Sequence, residues 1–191
     1  MLSTVKNHLI RTSLPKSKEV LIIVDFINPF DFNEADDLLP SALLAAKATA
    51  KLKKKLSKKG IPVIYANDNY GTWHSDFKDI LRSCLILKGK RGEISKTLSP
   101  QNNDLVILKP QHSAFHSTPL EHLLSQMQVK KIIICGVACD ICVFLTATDA
   151  RMLGYEVWVP ENCTAAETPE RKVQALRQLK DVFNCSIRKI N

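Results

Sequence analysis

The run Lys131-Ile132-Ile133-Ile134-Cys135-Gly136-Val137 is apolar, β-branched and strand-sized, and it passes into Ile141 to Leu153, whose pattern is helical. A strand without polar alternation is buried on both faces, as central strands of parallel sheets are. Working outward, similar runs stand at Val20 to Phe26, Pro62 to Ala66, Asp104 to Lys109 and Glu156 to Val159. Helical patterns separate them. In Ser41 to Lys59, Leu43, Leu44, Ala48, Leu52 and Leu56 share one stripe that Gly60 and Pro62 close. Others fall at about Ser75 to Leu81, Pro119 to Gln126 and Pro169 to Leu179, the last opened by Thr168 as cap and Pro169 in the first turn. With a short final strand near Ser186 to Ile190, the alternation implies an α/β fold: a parallel sheet of five to six strands covered by helices on both faces.

At 191 residues, 45% apolar and 24% charged, the chain suits one globular domain, expected over residues 19–191. Residues 1–18 carry Lys6, Arg11, Lys16 and Lys18 without an acid and lack a secretory apolar core, so a loose arm is expected. No apolar run approaches the roughly 20 residues of a membrane helix, so no membrane partner is expected. The net charge of +8 is densest at Lys51 to Lys59, where Leu52 and Leu56 interleave at helical spacing. That pattern reads as a solvated helix face. Without interleaved exposed aromatics or a recognition helix, it predicts no nucleic-acid partner. Six cysteines in a chain with this much core are expected as reduced thiols in a cytoplasmic setting.

Ligands of open parallel sheets bind at the carboxyl edge of the strands. Topology therefore gathers three reactive side chains on one rim. Asp25 closes the first strand, Lys109 closes the third, and Cys142 follows the fourth in the opening turn of a helix. A thiol at a helix amino end has its thiolate stabilised, so a lowered pKa is expected for Cys142. Asp25 is suited to take the thiol proton and return it to a leaving amine, with Lys109 holding the thiolate or orienting the carboxylate. A strand-end lysine in that role predicts that Lys109→Ala costs rate more than stability.

The segment Gly136-Val137-Ala138-Cys139-Asp140-Ile141-Cys142-Val143, with Thr146-Ala147-Thr148-Asp149-Ala150 and Gly154-Tyr155-Glu156-Val157 after it, resembles the nucleophile signature of the isochorismatase-like cysteine hydrolases, which include nicotinamidases and related amidohydrolases. Val24-Asp25-Phe26-Ile27-Asn28 and Lys109-Pro110 with Ser113-Ala114-Phe115 resemble the segments carrying the family's aspartate and lysine, and Asn67-Asp68-Asn69 with Trp73 resembles a loop of some members. The resemblance runs from about Val20 to Ala166. It implies a three-layer α/β/α sandwich, an Asp25, Lys109, Cys142 triad and a thioester intermediate. It also implies a non-proline cis peptide between Val137 and Ala138 that turns the Ala138 N–H toward an oxyanion, and assembly as a homo-oligomer. The function it implies is hydrolysis of a small-molecule amide or ureido C–N bond.

Nicotinamidases hold a metal with an aspartate-x-histidine pair, where this chain reads Asp68-Asn69-Tyr70, with His74 differently spaced. No metal or other cofactor is expected, and nicotinamide is disfavoured as substrate. Isochorismate-cleaving members lack the nucleophilic cysteine, so Cys142 argues against that substrate too. His112 and His116 lie four apart as a metal pair would, but the residues between them read as a pocket loop. Phe26, Phe32, Trp73 and Phe115 are candidates to line the pocket. Two alternatives remain open: a thiol oxidoreductase or redox-regulated protein using the Cys139-x-x-Cys142 pair, and a catalytically retired binding or scaffold subunit.

Overall fold

In a computed structural model, which describes residues 13–190, five strands form a wholly parallel sheet in the order β3-β2-β1-β4-β5. They are β1 Glu19–Val24, β2 Val63–Asp68, β3 Leu105–Lys109, β4 Lys131–Gly136 and β5 Glu156–Trp158. Six α-helices join or flank them: α1 Ala35–Ser57, α2 Phe77–Leu85, α3 Gly89–Thr97, α4 Leu120–Met127, α5 Phe144–Met152 and α6 Pro169–Asp181. Side chains alternate faces along each strand, and the core divides accordingly. Leu21, Ile23, Tyr65, Ile133 and Cys135 meet α1, α2 and α3, whereas Val20, Ile22, Val24, Ile64 and Ile134 meet α4, α5 and α6. The expected three-layer α/β/α sandwich is the observed one.

Four details depart from expectation. Helix α1 begins six residues before Ser41 and carries Pro40 inside it, because burial of Ala35, Leu38 and Leu39 extends the helix through a residue that locally signals a boundary. Helix α3 has no sequence stripe. Its polar run is anchored by Ile94, and Gly92 lies so close to the Leu87 carbonyl that a Cβ would stand 2.0 Å from its oxygen. The final strand reduces to a single bridge between Trp158 and Ser186. Within the basic run, Lys53 turns inward to Asp104 (2.5 Å) and the Tyr65 hydroxyl (2.9 Å), while Lys51, Lys54, Lys55, Lys58 and Lys59 are exposed.

Of the arm expected over 1–18, residues 1–12 lie outside the described residues. The rest runs against the domain: the Ser17 N–H donates to the Met127 carbonyl (2.9 Å), Lys16 Nζ to the Gln126 carbonyl (2.7 Å), and Leu14 packs on the α4 side of the core. Among the described residues no helix is long and apolar enough to cross a membrane.

Candidate active site

The strand order reverses between β1 and β4, which opens a crevice at their carboxyl ends. Asp25 follows β1 with a left-handed backbone (φ 50°), a conformation aspartate tolerates, while its N–H still donates to the Ala66 carbonyl (3.1 Å). Oδ1 of Asp25 accepts from the Asp68 N–H at 2.7 Å, and Oδ2 lies 2.8 Å from Lys109 Nζ. Lys109 ends β3, with β2 between it and β1. Neighbouring strands are about 4.8 Å apart, so only a long side chain spans the two intervals. Lys109 does so while fully enclosed.

Cys142 arrives from the other side of the crevice. At the end of β4, Gly136 passes so near β1 that a Cβ would stand 2.3 Å from the Val24 carbonyl oxygen, so glycine is required there. The Val137–Ala138 peptide is cis, as the resemblance implies. The chain then makes a wide π-helical turn, Cys139–Val143, in which the Ala138 carbonyl accepts from both Ile141 and Val143 (3.2 Å each). The Cys139 N–H donates to Ala165 (2.7 Å), and Asp140 binds Arg171 of α6 (2.6 Å), which ties the turn down. The half-buried Cys142 thus lies in this turn, and α5 starts only at Phe144, not at Ile141 as the sequence pattern suggests. Its Sγ is 3.7 Å from Lys109 Nζ and 3.7 Å from His112 Nδ1.

The electrostatics reverse one expectation. Burial, reinforced by the Asp25 charge, pushes the Cys142 thiol well above the ordinary thiol range, and Lys109 opposes this only in part. The turn does not supply a preformed thiolate. Burial likewise raises the Asp25 carboxyl, against the lowering pull of Lys109. Burial alone would lower the Lys109 ammonium, but the charges of Asp25 and Cys142 outweigh it and the net shift is upward. The site thus sets a thiol and a carboxyl, both raised by burial and hydrogen-bonded to one another, beside the enclosed Lys109.

The remaining candidates scatter. Phe26 is enclosed in the core on the α1 side, Phe32 and Trp73 stand out to solvent, and Phe115 stacks on Tyr155 at 6.3 Å. Cys139 lies three residues from Cys142 but is fully enclosed, with a thiol pushed up to about 11 chiefly by burial. That is the opposite of a low-pKa redox partner. All six cysteines are free. His112 and His116 share an irregular loop, not a helix face, and among the described residues no three His, Cys, Asp or Glu side chains cluster to hold a metal.

What the sequence did not disclose is how the loop of residues 110–116 is held. Ser113 Oγ donates to Asp149 Oδ2 of α5 (2.5 Å), and the Ala114 N–H donates to Thr146 Oγ1 (3.0 Å). Two segments quoted separately in the sequence therefore latch together beside Cys142. The latch carries His112 to the thiol, and its only advance signal was its place three residues beyond Lys109.

Comparison with known proteins agrees with this architecture. The model of the Isochorismatase domain matches residues 19–188. The uncharacterized isochorismatase family protein YaaI of Bacillus subtilis is 36% identical over 174 residues, 91% of this chain and 95% of that protein. The ureidoacrylate amidohydrolase RutB of Enterobacter is 34% identical over 91 residues, 47% of this chain and 40% of that protein. Among solved structures, N-carbamoylsarcosine amidase from Thermoplasma acidophilum superposes with a TM-score of 0.69 at 25% identity, covering 91% of this chain and 96% of that one. On a family match spanning nearly the whole described fold, this chain belongs to the isochorismatase family.

Proposed function

We propose that the protein is a cysteine-dependent hydrolase of a small amide or ureido C–N bond, acting through a thioester on Cys142. The observation that carries this reading is Lys109 Nζ at 2.8 Å from Asp25 Oδ2 and 3.7 Å from Cys142 Sγ, in the crevice where the strand order reverses. A raised carboxylate next to a neutral thiol suits general-base chemistry, since a base works best when its pKa approaches that of its task.

In this mechanism Asp25 takes the thiol proton as Sγ attacks the substrate carbonyl. The N–H groups of Ala138 and Cys142 receive the developing oxyanion, and Lys109, which stays protonated, compensates the charge on sulfur. Collapse breaks the C–N bond while Asp25 returns the proton to the departing amine, and water then releases the acyl group from sulfur. Two similar proteins named above act on ureido or carbamoyl compounds, which favours a substrate of that class. A thiol nucleophile of this kind fits a reducing, cytoplasmic compartment.

The test is ammonia release from a panel of N-carbamoyl amino acids, ureido acids and simple amides. Cys142→Ala is expected to abolish turnover of whichever compound is cleaved, with Asp25→Asn reducing it at least about 100-fold. Undiminished turnover in Cys142→Ala would exclude the covalent mechanism.

A further inference from the structure

The proposed chemistry needs a proton acceptor twice, once when sulfur attacks and once when water attacks the thioester. The groups around Sγ divide this work by position. Asp25 lies on the enclosed side, where it serves the first half-reaction, with Oδ1 accepting from the Asp68 N–H and Oδ2 paired with the Lys109 ammonium. Lys109 is an ammonium with no lone pair to offer. The Tyr70 hydroxyl donates to the Ile27 carbonyl (3.3 Å), and Asp68 Oδ1 accepts from the Tyr70 N–H (2.6 Å). His112 is different. It is exposed, its Nδ1 lies 3.7 Å from Sγ, and that contact is its one side-chain hydrogen-bond partner among the described residues. It approaches Sγ from the side open to solvent.

We propose that His112 is the base of the second half-reaction, the residue that activates water against the Cys142 thioester. This rests on the cysteine–thioester reading above. An acyl carbon bonded to Sγ lies within one water molecule of Nδ1, the separation across which a general base acts. As the Nε2–H tautomer, His112 takes a proton from water at Nδ1 while the water oxygen forms the C–O bond. The tetrahedral intermediate then collapses with cleavage of the C–S bond, and the sulfur leaves as a thiolate beside Lys109. The imidazolium returns its proton to that sulfur, so thioester and water become carboxylic acid and thiol with His112 neutral again. The Ser113–Asp149 and Ala114–Thr146 hydrogen bonds fix the backbone that adjoins His112.

p-Nitrophenyl acetate separates the two half-reactions without knowledge of the natural substrate. Wild type and His112→Gln are each mixed with it, nitrophenolate is followed in time, and the acetylated residue is mapped by intact mass and peptide analysis. The expected result is an equal burst in both proteins, with acetyl on Cys142, and a steady-state rate about 100-fold lower in His112→Gln, whose acetyl-enzyme persists. His112 is exposed, so the variant is expected to fold, and its burst reports that the nucleophile is intact. Equal steady-state rates would overturn the role of His112 while leaving the thioester reading standing, and loss of the burst in His112→Gln would place His112 before acylation and overturn it equally. Absence of acetyl on Cys142 in both proteins would remove the thioester reading and the proposal together.

Discussion

Lys109 Nζ and Asp25 Oδ2 meet at 2.8 Å between side chains that are almost completely sealed from solvent, 0% and 5% exposed. Such a pair tolerates loss of both charges better than loss of one, because a single replacement leaves an uncompensated charge in a poorly polarisable interior. Lys109 is enclosed at its strand end, so, against the expectation that its loss costs rate more than stability, removing it touches both.

Lys109→Met is expected to lower unfolding free energy by about 3–5 kcal/mol in urea titrations. The loss also depends on pH. The folded-state pKa of Asp25 is raised by burial, so the folded state binds a proton the unfolded state does not, and stability falls as pH rises through that raised value. Without Lys109 the deficit is largest above it and shrinks as Asp25 protonates. Adding Asp25→Asn to Lys109→Met is expected to recover much of the loss, and a double variant no more stable than the single one would refute the pairing.

Alkylation of Cys142 by iodoacetamide, read by intact mass and peptide mapping, should still be accelerating at about pH 9, because burial and Asp25 hold the thiol protonated through neutral pH. Asp25→Asn removes the repelling charge and is expected to shift the profile to lower pH. A wild-type profile already flat near neutrality would show a preformed thiolate.

Mild disulfide-forming oxidants are expected not to join Cys139 to Cys142. Cys139 is enclosed and its thiol is held up at about 11, so it is a poor attacking thiolate. Wild type and Cys139→Ser should lose activity at the same rate under such an oxidant. Protection by Cys139→Ser would establish the redox switch that the C-x-x-C spacing suggests.

Ser113→Ala breaks the latch to Asp149, a hydrogen bond to a charged acceptor in the class worth about 1.5–3 kcal/mol. Turnover is expected to fall more than the modest loss of stability explains, because the loop bearing His112 and the Gln111 carbonyl that accepts from Lys109 (3.2 Å) loses its anchor. Unfolding titrations and kcat measured on one preparation separate the two effects. An unchanged kcat would mean that the latch serves the fold alone.

Legibility followed the range of the interactions involved. The unalternated runs at Val20, Pro62, Asp104, Lys131 and Glu156 marked all five strands, since burial on both faces is written directly into local composition. Helix α3 was invisible because its polar residues and two glycines carry no stripe, and what holds it is the approach of Gly92 to Leu87 and the burial of Ile94. The strand expected at Ser186 to Ile190 had suitable residues but only one bridge to pair with.

By itself the sequence determined the α/β architecture and, through strand order of residue types, that Asp25, Lys109 and Cys142 share the carboxyl edge. Only the tertiary structure decided what state those groups occupy and what else reaches them. The helix-terminus argument for an acidified Cys142 considers its own turn, whereas the thiol answers to burial and to Asp25, which lies across the β1–β4 crevice. His112 came to Sγ through hydrogen bonds between a loop after β3 and helix α5. Protonation depends on distance and on exclusion of water, quantities set by which remote segments pack together, and local spacing along a chain encodes neither.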